Sequence, residues 1–337
     1  RDHGGDLDRA RAAYGGAPGD WIDLSTGINR VAYPMPLLGP ADLCALPQRE
    51  ALDDLIAAAR AAYETRAAIL PLAGAQAAIQ LVPRLVRDKV SAQVAIDARV
   101  LAPTYNEHAG ALSGAGIAVR EVAEASDLAG ADVAILVNPN NPDGRRHEPA
   151  NFFVLAERVG LLVVDESFAD AEPNLTLAKG LSDDAPANVL VLRSFGKFYG
   201  LAGLRLGFAL GAPALIAHLQ ALAGPWAVSG PAIAAGRVAL RDAPWRARTI
   251  ARLTEDCARL DALATRCGWR LIGGTALFRS YAVPGGAAAA QAALAQRMIW
   301  SRVFPYAQDW LRLGLPGSEE EWRRLEAALP EERALGK

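Results

Sequence analysis

From about residue 50 to residue 225 the chain alternates short aliphatic runs with helical stretches, and this alternation restricts its fold more than any other feature. The runs lie near Ala67–Leu70, Val94–Ile96, Val119–Val122, Val133–Val137, Leu161–Val164, Val189–Leu192 and Gly207–Leu210. Uninterrupted apolar runs of this length read as buried strands. Strands alternating with helices imply an α/β domain, in which helices cover both faces of a mostly parallel sheet. Ligands of such sheets sit at the carboxyl ends of the strands. After Gly224-Pro225 the pattern changes. A long helix is predicted over Ala243–Cys267, then short strands at Arg270–Ile272, Leu277–Tyr281 and Trp310–Leu313, and a closing helix at Glu319–Ala328. A chain of 337 residues has room for about two domains. The expectation is a large α/β domain over 46–225 and a small α+β domain from 1–45 and 226–337, with the active site in the cleft between them.

The polar residues that follow these strands carry the chemistry. Ser194-Phe-Gly-Lys-Phe-Tyr-Gly-Leu-Ala-Gly-Leu-Arg-Leu-Gly207 places Lys197 just past a buried strand, with Ser194 before it and Arg205 after it. A lysine beside anion-binding groups suits an imine with a phosphorylated aldehyde, with Ser194 and Arg205 holding the phosphate. Taken alone, a lysine is more often a solvated surface charge. Asp165 ends the run Leu161-Leu-Val-Val164, where a carboxylate can pair with the ring nitrogen of pyridoxal phosphate (PLP); it also fits a helix N-cap. The turn Asn138-Pro-Asn-Asn-Pro-Asp-Gly144 can aim an amide at the ring's phenolate oxygen. Leu70-Pro-Leu-Ala-Gly-Ala-Gln76 opens an apolar helix whose first N–H groups can bind phosphate. Pro103-Thr-Tyr105 offers an aromatic ring to stack on the cofactor. Each piece is ambiguous, but all five occur in register.

In these motifs the chain resembles the fold-type I PLP enzymes, in the branch that holds histidinol-phosphate aminotransferase. His3-Gly-Gly-Asp6 and Asp23-Leu-Ser-Thr-Gly-Ile-Asn29 resemble the threonine-phosphate decarboxylases of cobalamin biosynthesis in particular. The likeness runs nearly end to end, as far as Trp310-Leu-Arg-Leu-Gly-Leu-Pro316. It implies the type I PLP-dependent transferase fold, with Lys197 bonded to PLP and Asp165 on the pyridine nitrogen. It further implies Asn141 on the phenolate oxygen and Tyr105 on the ring face. Gly74, Ala75, Gln76, Ser194 and Arg205 would surround the cofactor phosphate. His3, Asn29, Arg302 and Arg312 would bind substrate, with Arg312 on the α-carboxylate. The activity implied is decarboxylation of L-threonine O-3-phosphate to aminopropanol phosphate. The alternative is an aminotransferase of the histidinol-phosphate type, which shares every cofactor group.

Two departures bear on that choice. The aminotransferases usually carry Tyr three residues after the Asp, where this chain has Phe168; the decarboxylases are similar to this chain there. A Tyr-Pro pair that reaches the neighbouring subunit's cofactor is replaced by Leu46-Pro47, although a homodimer is still implied. Arg312 lies in the alternating run Trp310-Leu-Arg-Leu313, whose arginine reads on residue pattern alone as the wet face of a half-buried strand. Guanidinium is nevertheless the natural clamp for a carboxylate.

The resemblance implies a small phosphorylated amino acid as the partner, and composition gives no sign of nucleic acid or membrane. A formal net charge of −2 leaves no basic footprint for nucleic acid. Three cysteines and four scattered histidines form no metal-ligand spacing and no disulfide framework. No apolar run approaches the ~20 residues of a membrane span, and residues 1–6 carry no signal-peptide core, so a cytoplasmic enzyme is expected. A third reading, a ligand-sensing regulator on the same fold, needs a basic helix-turn-helix segment; the sequence has none.

Overall fold

The structure is a computed structural model that describes residues 3–88, 94–182 and 186–329. Residues 1–2 and 330–337, which the expected small domain includes, lie outside the described residues. The chain divides into two compact units. One consists of Arg1–Ala32, Pro142–Gly144 and Ala247–Lys337, the other of Tyr33–Asn141 and Arg145–Arg246.

The larger unit is built on seven strands: β1 (Ala68–Leu72), β2 (Ala98–Leu101), β3 (Val119–Val122), β4 (Val133–Val137), β5 (Leu161–Asp165), β6 (Val189–Ser194) and β7 (Gly207–Gly211). Their order across the sheet is β1-β7-β6-β5-β4-β2-β3. Adjacent strands from β6 to β3 run parallel, and β7 runs antiparallel to both its neighbours. The central strands are aliphatic on both faces because both faces are covered; every residue of Val133–Val137 and Leu161–Val164 is buried. Helix α1 (Ala75–Arg87) lays Ala78, Ile79, Val82, Leu85 and Val86 against that sheet, a spacing that gathers them into one stripe. Pro71, which cannot donate to a ladder, is tolerated because β1 is an edge strand.

One strand is displaced from expectation. Residues 94–97 are irregular and the strand runs over Ala98–Leu101 instead. Arg99 interrupts the apolar pattern, but its guanidinium is satisfied within the fold. It bonds Asp97 and the carbonyl oxygens of Asp127 (2.8 Å) and Ala129 (2.6 Å).

The second unit carries most of the helix Ala243–Arg266 and an antiparallel sheet of β8 (Arg270–Thr275), β9 (Phe278–Ala282), β10 (Arg302–Phe304) and β11 (Ala307–Gly314), ordered β10-β11-β9-β8. Helices Ala287–Ala295 and Glu319–Ala328 follow β9 and β11. A two-residue parallel pair joins Ile22–Asp23 to Ile299–Trp300. Sequence pattern alone misses β10, a three-residue strand that opens on a charge. The alternation in Trp310–Leu313 does not mark a wet face either: Arg312 is 4% exposed and as covered as its leucine neighbours.

Candidate active site

The reversal of β7 gathers the phosphate-binding candidates. Leu72, at the carboxyl end of β1, and Ser194, at that of β6, both pair with Gly207, at the start of β7. Arg205, two residues before Gly207, therefore arrives beside the end of β1. Gly74 has φ +81°, and a Cβ on it would lie 2.8 Å from an Arg205 Nη, so only glycine lets the guanidinium come this close. Arg205 itself is in the left-handed region, at φ 54° and ψ 56°, a conformation non-glycine residues seldom adopt. Gly74 caps α1 without a side-chain bond, which leaves the N–H groups of Ala75 and Gln76 outside the intrahelical pattern. Helix N–H groups, a hydroxyl and a guanidinium thus converge at one sheet end, a cradle for a phosphate dianion.

Asp165 is 2% exposed. Its Oδ1 accepts from Ser167 N (2.9 Å) and Ser167 Oγ (2.5 Å), and its Oδ2 lies 2.9 Å from His108 Nε2. Burial works to raise its pKa, but the bonds from His108 and Ser167 outweigh that and hold it below the ordinary carboxylate value. The group is therefore a buried carboxylate, and Oδ2 keeps acceptor capacity for one more donor. An N–H⁺ of a heteroaromatic ring fits it. Sequence pattern gives His3 a role at the site and His108 none. The available signal is its place three residues after Tyr105, at the start of the helix Glu107–Gly114.

Tyr105 donates to Gln76 Oε1 (3.2 Å), and Gln76 Nε2 donates to Glu107 (3.1 Å), so the stacking candidate is tied to the phosphate end. Of the three asparagines after β4, two are structural. Asn138 binds the backbone of His147 and Leu175, and Asn140 binds Pro103 O and Thr104 Oγ1. Asn141, half-buried, follows them. Lys197 lies on the short helix Phe195–Phe198, its Nζ 5.8 Å from the centre of the Phe168 ring.

The other four candidates belong to the second unit. In the antiparallel pairing of β10 with β11, Arg302 stands directly opposite Arg312. Like charges facing across strands repel. Burial, then the Arg302 charge, push the Arg312 guanidinium down to about 9, against small opposing effects of Tyr306 and Asp23. Arg312 Nη2 donates to Ser25 O (2.7 Å), and its Cζ sits 4.8 Å from the Phe278 ring centre. His3, Ser25 and Arg302 line one cavity of about 900 Å³. The His-Gly-Gly run has a steric reason: a Cβ on Gly4 would clash with the Ser25 carbonyl, and Gly5 takes φ +88° while its N–H bonds Ser25 Oγ (2.7 Å). Asn29 does not line that cavity, and its Oδ1 accepts from Arg252 Nη2 (2.7 Å) and Val31 N (3.1 Å). Among the described residues no cluster could hold a metal ion, and no helix is long and apolar enough to cross a membrane.

Comparison with known proteins places this geometry. Residues 46–329 match the family model described as aminotransferase class I and II. The chain is 44% identical over 333 residues to a threonine-phosphate decarboxylase of Sinorhizobium sp, covering 97% of each chain. It is 43% identical to the Pseudomonas aeruginosa protein of the same name, again over 97% of each. Among solved structures, histidinol-phosphate aminotransferase from Sinorhizobium meliloti, in complex with pyridoxal-5'-phosphate, superposes with a TM-score of 0.79 at 20% identity, covering 96% of this chain and 93% of that one. L-threonine-O-3-phosphate decarboxylase from Porphyromonas gingivalis gives 0.66 at 19% identity, covering 91% and 97%.

Proposed function

The chain belongs to the aminotransferase class I and II family, and within it we propose that the protein is a PLP-dependent decarboxylase that converts L-threonine O-3-phosphate to aminopropanol phosphate and carbon dioxide. Bound PLP supplies an aldehyde for the substrate amine and a ring that withdraws electrons from Cα. The rest falls to side chains. Lys197 would bond the aldehyde in the resting enzyme, and in its ammonium form it would deliver the proton that replaces the carboxyl group on Cα. Asp165, kept ionised by His108 and Ser167, holds the pyridine proton in place. Ser194, Arg205 and the N–H groups of Ala75 and Gln76 hold the cofactor phosphate. Asn141 takes the phenolate oxygen, and Tyr105 covers the ring.

The observation that carries the substrate assignment is the register of Arg302 opposite Arg312. Two facing guanidiniums, one of them buried, favour an anion between or beside them. Arg312 takes the α-carboxylate, while Arg302 and His3 take the distal phosphate. The small-unit cavity, the Gly4–Ser25 approach and the full-length likeness to threonine-phosphate decarboxylases support the same reading. We place the enzyme in the cytoplasm, where the free thiols of Cys44, Cys257 and Cys267 stay reduced, and as a homodimer through the apolar side chains exposed near Leu37.

The decisive test is incubation of the holoenzyme with L-threonine O-3-phosphate and no keto-acid acceptor. Carbon dioxide and aminopropanol phosphate are expected. Stoichiometric conversion of the cofactor to its pyridoxamine form without carbon dioxide would make the enzyme an aminotransferase of the histidinol-phosphate type. Unphosphorylated threonine is expected to be poorer by at least about 100-fold in kcat/KM, since each charged phosphate contact contributes about 1.5–3 kcal/mol.

A further inference from the structure

Past the end of the β5–β6 ladder, one arginine takes over the work of the backbone. The last paired residues are Asp165 and Leu192, with Glu166 N still donating to Leu192 O (2.8 Å). Beyond that point β6 stays paired to β7 through Arg193 and Ser194, but its ladder to the segment after Asp165 has ended. Arg193 bridges the gap with its side chain. Nη1 donates to Glu166 Oε2 (2.9 Å) and Thr176 Oγ1 (3.3 Å), and Nη2 donates to Asp170 Oδ1 (2.7 Å). Its Cζ lies 4.5 Å from the centre of the Tyr63 ring, and the residue is 3% exposed. Glu166 is fixed in turn by Thr176 Oγ1 (2.6 Å) and Leu177 N (2.5 Å).

The sequence positions of these partners give the bridge a consequence at the site. Glu166 directly follows Asp165, and Asp170 lies five residues after it. Arg193 therefore holds both ends of the segment 166–170, and Phe168, midway along it, carries the ring beneath the Lys197 ammonium. Arg193 is itself four residues before Lys197 and directly before Ser194. We infer that Arg193 is a positioning residue that fixes the Asp165 segment and the Lys197 turn at one spacing, through its two-pronged grip on Glu166 and Asp170. The inference rests on the assignment of Lys197 and Asp165 to the cofactor. A guanidinium is suited to the task because its rigid planar fork reaches two carboxylates from separate nitrogens, a fixed spacing that the single nitrogen of an ammonium does not supply.

The variant Arg193→Lys keeps the charge and removes the fork. Misplacement of reacting groups by about 1 Å costs on the order of 100-fold, so kcat is expected to fall about 10- to 100-fold with KM for L-threonine O-3-phosphate little changed. The midpoint pH of the cofactor's visible absorbance in the resting enzyme should shift, because the setting of Lys197 has changed. In the apoprotein, amide hydrogen exchange at 166–170 and 195–199 should quicken while the helix Ala243–Arg266 stays protected. Wild-type kcat, absorbance midpoint and exchange in Arg193→Lys would overturn the inference. If that variant does not fold, Asp170→Ala frees one end of the segment and is read by the same three measurements. Borohydride reduction of wild-type holoenzyme separates the two claims. A pyridoxyl adduct on a lysine other than Lys197 sinks the functional reading, whereas the exchange result in the apoprotein judges Arg193 regardless.

Discussion

Burial and the facing charge of Arg302 both work against the Arg312 guanidinium, whose pKa falls well below the ordinary arginine value, to about 9. The sign of the linkage follows. Above about pH 9 the unfolded chain still holds a proton that the folded chain has released, so stability from this group rises with pH until the unfolded arginine titrates as well. Below pH 9 the cation stays buried against these two effects, with Ser25 O and the Phe278 ring among its partners, and a bound carboxylate adds to them. Arg312→Met is therefore expected to make the apoprotein more resistant to urea, by about 1 to 4 kcal/mol, while raising KM by about 10- to 100-fold. A variant that is less stable than wild type would mean the charge is already well compensated without substrate. At pH 9, calorimetry in buffers of different ionisation heat should detect proton uptake on substrate binding. Asp165 is the opposite case, a buried acid stabilised in its charged form. Asp165→Asn should retain cofactor, because the phosphate cradle is untouched, yet lose about 10²–10³ in kcat. Turnover near the wild-type rate would leave Asp165 as no more than a capping residue.

Elements explain how much of this could be read from sequence. Strands β4, β5 and β6 were legible almost to the residue because burial on both faces leaves an unbroken aliphatic run. The residues at or just past their ends, Asp165, Asn141 and Lys197, could be located for the same reason. Three features were not. Arg99 hides β2 because a charge in a strand reads as a boundary until its carbonyl partners, which are distant in sequence, are known. The strand of Arg302 is short and defined by its partner β11 rather than by its own pattern. His108 gains its role only from Asp165, 57 residues away in sequence. The direction of β7 belongs with these. It brings Gly207 against the start of α1, where an added Cβ would clash with Ala75 N and lie 2.6 Å from Gly74 C and 2.8 Å from Arg193 O. Gly207→Ala must therefore push α1 off the sheet end or distort β7, and overpacking of this kind costs about 1–3 kcal/mol. We expect a lower unfolding temperature and at least a tenfold loss of PLP affinity in a titration of the apoprotein. Unchanged PLP affinity would detach the helix start from the phosphate site.

At the scale of the whole molecule, the chain leaves a set of large apolar side chains uncovered. Leu37 is fully exposed, and Leu43 (67%), Leu46 (59%), Trp226 (62%) and Met35 (41%) accompany it. Helix Pro40–Cys44, which carries Leu43, packs on the helix Gly230–Ala239, and Trp226 lies four residues before that helix starts. Trp226 also holds φ +56°, a left-handed conformation that a bulky residue adopts only where something fixes it. Large apolar side chains left in water mark interaction surfaces, and a dimer face of about 1,200–2,000 Å² would cover them. The net charge of −2 puts little electrostatic repulsion between two copies. Leu46, standing where the family resemblance implies a bridging tyrosine, would then serve the interface by burial rather than by a hydroxyl. Light scattering at assay concentration should give twice the 35.5 kDa chain mass. Replacing Leu37 and Leu43 together with Asp should shift the protein towards monomer with its far-ultraviolet circular dichroism intact, because neither side chain is part of the core. A wild-type monomer with full activity, or a double variant that remains dimeric, would move the interface away from this face.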